Sequence, residues 1–440
     1  MSANIFNSIR IKNIDNFIES VANELLYVYI GHSEPWSDEN NPPMVYDTTQ
    51  EINAQRKDIM GMKRIQASDV VNVIPRINWT SGNIYDEYTD SINIFDVKNT
   101  ETGSFYQFYV FTSESNVYKC ISNANGRQST VMPTGTSIDI ITTTDGYRWK
   151  YMYTVKSADV QKFVNTTFIP CYTLKTDDGT TQWKIQTNAV PGAIDHITVT
   201  DGGKGYSRTT PPRVVVEGDG TGCVAAAEVS STGLIESISI INTGKDYTHA
   251  TVKILEDRAD GGIEAKATPV ISPTGGHGSD AVTELGAVYV MLHCMINGSE
   301  DGALPTDVKY RQAGIISAPL SNDVGTTIEV DNPYVFTTGD TLIGGSSGAR
   351  GTIHHINKTA SLIYVKNTTG VFLVNESISS RGNSTTCSRV QTGVNLPIVN
   401  EVVSGSALKP NSGTILYALT RKAVTRSEDQ PDRMRFVIGF

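Results

Sequence analysis

The residues most able to do chemistry are scattered glycine-rich, histidine and carboxylate groups, so their spacing is the first thing to weigh. Gly218-Asp-Gly-Thr-Gly222 and Gly344-Gly-Ser-Ser-Gly348-Ala-Arg-Gly351 have the flexibility of phosphate-cradling loops. A phosphate loop also needs a preceding strand, a following helix and, for the P-loop, a Lys-Ser/Thr pair. Neither stretch has that lysine, and both run into β-type residues, so both read as turns. His354-His355 suggests a metal pair, but adjacent strand residues face opposite ways, and zinc needs three or four convergent ligands. His277, in Pro273-Thr-Gly-Gly-His277-Gly, reads as a hydrogen-bonded turn residue in preference to a catalytic base. Asp201, Glu217, Asp219 and Asp257 belong to turns. Glycosidase chemistry would need two carboxylates facing across a sugar, so these read as solvated loops. The turn from Asp257 to Asp260 offers oxygen ligands of the kind calcium recruits. No HExxH or Walker pattern occurs. No catalytic, cofactor-binding or metal residue is therefore assigned, and the chain is expected not to be an enzyme.

Bulk properties narrow the classes further. The net charge of −10 argues against a sequence-independent grip on nucleic acid, which needs a basic surface. The five cysteines (Cys120, Cys171, Cys223, Cys294, Cys387) lie far apart without a CxxC, which reads as free thiols and not as a disulfide or zinc framework. The first residues lack an apolar signal-peptide core, and no run of about 18 apolar residues exists to span a bilayer. Synthesis in a cytoplasm without membrane insertion is expected. With 39% hydrophobic and 19% charged residues over 440 positions, the chain should fold into two to four domains.

Helix signals are few and sit near the N-terminus. Ile14, Phe17, Ile18, Val21 and Leu25 fall on one helical face over about 13–25. A second helix is expected over 49–59. A third is expected to start at Ser68 and to carry Val70, Val71 and Ile74 before Pro75 stops it. Beyond that the pattern is of short strands rich in Val, Ile, Thr and Tyr, such as 105–112, 116–121, 147–155 and 288–295. The fold class expected is mainly β, a multi-domain β-sandwich or barrel architecture with a few short N-terminal helices.

Two stretches repeat themselves. Ile197-Thr-Val-Thr-Asp-Gly-Gly-Lys-Gly-Tyr206 recurs as Ile238-Ser-Ile-Ile-Asn-Thr-Gly-Lys-Asp-Tyr247, an offset of 41 residues. Each copy continues into a second strand (213–216, 252–255) and a small-residue strand (224–229, 264–268), the mark of a duplicated β unit. The tyrosines are expected to pack between the copies. Ile328 to Asp340 is echoed by Ile363 to Glu376 at an offset of 35 to 36 residues, and reads as a small barrel or sandwich. The boundaries that follow are 1–190, 281–321 and 399–440 for a discontinuous core, interrupted by β insertions at 191–280 and 322–398.

The N-terminal third carries an ordered string of motifs: Gly31-His-Ser-Glu34-Pro35-Trp36, Met60-Gly61-Met, Asp69 to Trp79 with Val73-Ile-Pro75-Arg76, Val117-Tyr-Lys119-Cys120, and Asp145-Gly-Tyr147-Arg-Trp149-Lys-Tyr151-Met-Tyr153. Later come Tyr310-Arg311-Gln-Ala-Gly-Ile315 and Val424-Thr-Arg-Ser-Glu428-Asp-Gln430. In this order the string resembles the gene-eight-type baseplate wedge subunits of T4-like contractile phages, over roughly 1–175, 281–320 and 400–440. That resemblance implies a structural virion protein of the tail baseplate. It also implies a homodimer that contacts other wedge and pin proteins and rearranges with them on host contact. The competing readings are a tail-associated receptor- or carbohydrate-binding protein, with glycan contact through the insertions, and a glycan hydrolase. The motif residues Trp36, Trp79, Tyr147, Trp149, Tyr151 and Arg311 stand out as interface or core anchors. Tyr147, Trp149, Tyr151 and Tyr153 alternate, so they should share one strand face, with Arg148, Lys150 and Met152 on a solvated one. The aromatic face would be either buried core or a subunit contact, where Tyr and Trp are enriched.

Overall fold

The computed structural model describes residues 6–95, 98–99, 103–255 and 261–440. The chain is mostly β and divides into two compact units. One comprises Met1–Lys12, Val71–Val290 and Ile438–Phe440, the other Asn13–Val70 and Met291–Val437. No helix among the described residues is long and apolar enough to cross a membrane.

The first helix runs Asn7–Asn23, earlier than its apolar face suggested, with Ile14 and Val21 buried. The second, Thr49–Lys57, starts where Thr48 accepts a hydrogen bond from the Glu51 N–H. The helix expected from Ser68 is a misreading. Ala67–Asp69 is a single 3-10 turn, and Val70–Pro75 is a strand pairing Ile74 with Ile169. Four of its six residues are β-branched and its Val70-Asn72-Ile74 face is buried, so stiff χ1 rotamers and packing outweighed a helical spacing. Short helices at Ser157–Phe163, Thr181–Thr187 and Ala281–Glu284 extend the helical content beyond the N-terminal region.

In the first unit a four-stranded antiparallel sheet is ordered Tyr109–Phe111, Asn116–Ser122, Arg148–Thr154, Ile141–Thr142. The expected strand over 105–112 is thus only its last part. In the second unit five strands run in the order Val402–Ser404, Ile59–Arg64, Leu26–Gly31, Lys309–Ser317, Thr414–Thr425. Tyr27, Tyr29, Met62 and Ile316 form its core.

The first repeat region supplies β1 (Ile194–Asp201), β2 (Arg213–Gly218), β3 (Thr221–Val229), β4 (Ile235–Lys245), β5 (Ala250–Leu255) and β6 (Lys266–Ile271). The last of these lies two residues further on than the small-residue pattern suggested. The second copy begins at β4. Equivalent middle strands pair with each other, from Arg213↔Leu255 to Gly218↔Ala250. The outer strands exchange: β1 pairs with β6, and β4 pairs with β3. The first strand of each copy is therefore completed by the third strand of the other. The tyrosines follow the same rule. Tyr206 Oη accepts the Ala265 N–H at 2.8 Å, and Tyr247 Oη accepts the Cys223 N–H at 3.3 Å. Gly203 and Gly244 have φ of +59° and +63°, and a Cβ at either would meet the exchanged strand's backbone at 2.4 and 2.6 Å.

The second repeat region supplies β7 (Leu320–Val330), β8 (Thr341–Gly344), β9 (Arg350–Asn357), β10 (Leu362–Thr369), β11 (Ser377–Ser380) and β12 (Asn383–Pro397). They close into a barrel in the order β7-β10-β9-β8-β11-β12. The exchange recurs: β7 pairs with β12, β10 with β9, and the middle strands β8 and β11 with each other. Ile328 lies opposite its own repeat equivalent, Ile363. Both repeat regions thus share one pattern of strand exchange, which closes into a barrel in the second and forms a four-stranded and a two-stranded sheet in the first, and the three-strand unit occurs four times. Each occurrence has an isoleucine, an Asp or Asn four residues on, and an aromatic four or five residues later: Ile197/Asp201/Tyr206, Ile238/Asn242/Tyr247, Ile328/Asn332/Phe336 and Ile363/Asn367/Phe372. All four isoleucines and all four aromatics are buried. Asp201, Asn242 and Asn332 each accept a hydrogen bond from the N–H two residues on, at 2.9, 3.0 and 3.0 Å, turning the chain at the strand end.

Because each tyrosine fills a core built from both copies, Tyr206→Ala and Tyr247→Ala should each cost about 3–5 kcal/mol, as for other large aromatic truncations. Calorimetric melting would check this. A loss below about 1 kcal/mol for both would mean that the copies do not depend on each other.

Candidate functional site

The aromatic strand Arg148–Thr154 organises the first unit. Trp149 and Tyr147 are fully buried and stack at 5.3 Å and 15°, with Tyr85 edge-on to Trp149 at 5.8 Å. Tyr147 Oη donates to the Arg127 carbonyl at 2.6 Å, and burial raises its pKa to about 12. Tyr151 shares this cluster, whereas Tyr153 packs with Met152 in a second core. The opposite face is not solvated. Met152 is buried, and Lys150 is largely covered and lies directly across the ladder from Lys119. The expectation failed because a further layer covers this sheet, which an alternating pattern on one strand cannot reveal.

That covered face carries a cluster of buried charge. Lys119 and Glu284 are in contact, with side-chain exposures of 0% and 1%. Lys119 also lies 4.8 Å over the Tyr88 ring. The Glu284 carboxylate accepts the Gly278 N–H at 2.8 and 3.0 Å and the Asp280 N–H at 3.1 Å. Burial pushes the Lys119 amine below its ordinary pKa, opposed by Glu284. Burial pushes Asp195 up, opposed by Lys150, Arg148 and Lys119. His277 lies in a turn, as expected, but its ring is not hydrogen-bonded there. It is buried edge-on to Tyr88 at 5.0 Å, its Nδ1 has no partner among the described residues, and its Nε2 lies 3.9 Å from Asp195. Burial, then Lys119 and Lys150, hold it well below the usual histidine range. The one sequence cue for Lys119 was a lysine inside the otherwise apolar strand Asn116–Ser122, all of it buried.

The remaining anchors are engaged within the chain. Trp36 is half-buried, stacks on His32 at 3.8 Å, and donates Nε1 to the Arg421 carbonyl at 3.0 Å. Arg311 is buried, contacts the Ser33 carbonyl, and bonds Glu39 Oε1 through Nε at 2.6 Å. Glu39, held low by Arg311, also accepts the Trp36 N–H and the Ala423 N–H, so it links three motif segments. Trp79 is half-buried and donates Nε1 to Ser129 Oγ at 3.0 Å.

The residues that resemble catalytic motifs serve structure. The Gly344–Gly351 loop does form a nest for an anion, and the anion is Glu376. Its carboxylate accepts the Ser346 and Ser347 N–H groups at 3.0 and 2.9 Å and the Ser347 hydroxyl at 2.8 Å. Asp340, the repeat equivalent of Glu376, pairs with Arg381 at 2.7 Å in the other copy's hairpin. His354 Nε2 lies 2.8 Å from the Pro397 carbonyl and His355 packs on Tyr364, so they serve different neighbours. Asp219 accepts the Thr248 and His249 N–H groups, and Glu217 pairs with Lys253. Four cysteines are buried, Cys223 is half-buried, and all five are free thiols. Among the described residues no three His, Cys, Asp or Glu side chains converge on a metal position. The Asp257–Asp260 turn lies outside the described residues.

Trp149→Ala should cost about 3–5 kcal/mol in thermal or denaturant unfolding. Wild-type stability with lost self-association would instead place the ring at a subunit contact. Burial, then Arg64 and His354, lowers His355 to about 4. A folded pKa below the unfolded value of about 6.5 favours the neutral ring, so this stabilisation is complete above pH 6.5 and fades as pH falls towards 4. His355→Phe should flatten that part of the melting-temperature profile between pH 7 and pH 4, read against wild type.

Comparison with known proteins follows the motif string. No curated protein matches the chain. Residues 3–124 match the family model described as Bacteriophage T4, Gp8. The match supports a structural role in a phage baseplate, and with it a place in the virion. The matched segment carries the motifs from Gly31-His-Ser-Glu-Pro-Trp36 to Val117-Tyr-Lys-Cys120, and over it the chain is similar to the T4 Gp8 family.

Proposed function

We propose that the whole chain is a wedge subunit of a contractile tail baseplate, acting through protein–protein interfaces and not through catalysis. The observation that carries this reading is the family match over residues 3–124. It is supported by the way the conspicuous polar groups are used: Glu39, Glu284 and Glu376 are each spent on internal backbone N–H groups or cations. Synthesised in the host cytoplasm, the subunit self-associates as a homodimer and contacts neighbouring wedge and pin proteins. Interfaces of standard size, about 1,600 Å² each, hold the ring and let it rearrange on host contact. The repeat modules at 191–280 and 322–398 are insertions into a core formed by 1–190, 281–321 and 399–440, and they enlarge the wedge. In the second unit exposed Tyr46 and Leu416 line one shallow depression and exposed Met44 a second, with Val45 lining both, a surface suited to a protein neighbour.

A reconstruction of the particle should place two copies in each wedge of a six-fold baseplate. Density in the tail tube or capsid, or one isolated copy per wedge, would overturn the assignment.

A further inference from the structure

We propose that Lys119 and Glu284 form a modification site, at which the two side chains condense to an intramolecular amide between Nζ and Cδ. The pair has the parts that such a reaction needs. Amine and carboxyl touch, both are closed to bulk water, and the fold holds them together at a very high effective concentration. Gly278 and Asp280 aim N–H groups at Oε1 from 2.8 and 3.1 Å, where charge gathers when the amine adds to the carboxyl carbon. Burial favours the neutral, nucleophilic amine at Lys119.

The step balances without an oxidant or cofactor. A proton passes from Nζ to Oε2, which it touches, the neutral amine attacks Cδ of Glu284, and the C–N bond forms. A second Nζ proton passes to Oε2. The Cδ–Oε2 bond breaks and one water leaves. Glu284 borders a cleft of about 810 Å³, also lined by Tyr88 and Thr283, which gives the water a way out. The product replaces a buried ion pair, costly to desolvate, with a neutral amide. It also links the strand Asn116–Ser122 to the helix Ala281–Glu284 across 165 residues, enclosing the whole first repeat module in a covalent loop. Tension along the core would then bypass the module.

The test is the intact mass of the full-length chain after denaturation and reduction. The proposal expects a mass one water below that of the sequence. It also expects a tryptic species in which the peptides containing Lys119 and Glu284 are joined, and the full sequence mass in Lys119→Met. Full sequence mass in the wild type, with the two peptides separate, overturns it. So does a water loss that persists in Lys119→Met.

Discussion

Pairing the first strand of one repeat with the third strand of its sister sets the terms for everything else in this chain. In each module it lays the first and last strands side by side and antiparallel: Ile194 is opposite Ile271, and Leu320 is opposite Pro397. The chain leaves a module next to where it came in. Lys309–Ser317 and Thr414–Thr425, which flank the barrel in sequence, accordingly pair in one sheet. The exchange also means that no copy is complete alone. A three-strand unit cannot bury its own hydrophobic face, and closure by a twin supplies the missing pairing and core at once.

The same economy governs the buried polar groups. Ladder neighbours Lys119 and Lys150 would repel if left bare. Glu284 and Asp195 offset them, and Glu284 is in turn fixed by backbone N–H groups from the turn after the first module. In the barrel, Glu376 fills a nest of N–H groups made by the other copy, so a loop with the composition of an anion site already holds its anion. Buried charges of this kind cost much if unpaired, and here each is paired with a group from a distant segment. They tie remote parts of the chain together where apolar contacts alone would not fix one arrangement.

Much of the local structure was legible in advance. The strands at 116–121 and 147–155, the helix at 49–59 and both duplications followed from period and punctuation. The failures share a cause. Val70–Pro75 read as helix because its apolar positions fit both periods, and its ladder with Phe168–Pro170 decides between them. Lys150 and Met152 read as solvated because nothing on their own strand shows the layer above them. The turn at His277 was legible from its local glycines, but its burial was not, because Tyr88 and Asp195, which lie against it, are distant in sequence. Glu39 went unnoticed although it joins Trp36 to Arg311, because a carboxylate in a polar loop has no distinguishing neighbour until the loop is folded.

The sequence by itself determined the β character of the chain, the existence of two duplications, and the ordered motifs that match the T4 Gp8 family. These are properties of residue order, written by period and spacing along one dimension. The tertiary structure alone decided that sister copies exchange strands, that both duplications use the same exchange, and that Lys119 meets Glu284. Those outcomes depend on contacts between segments tens to hundreds of residues apart, where hydrogen-bond satisfaction and burial choose among pairings that the local pattern leaves equal.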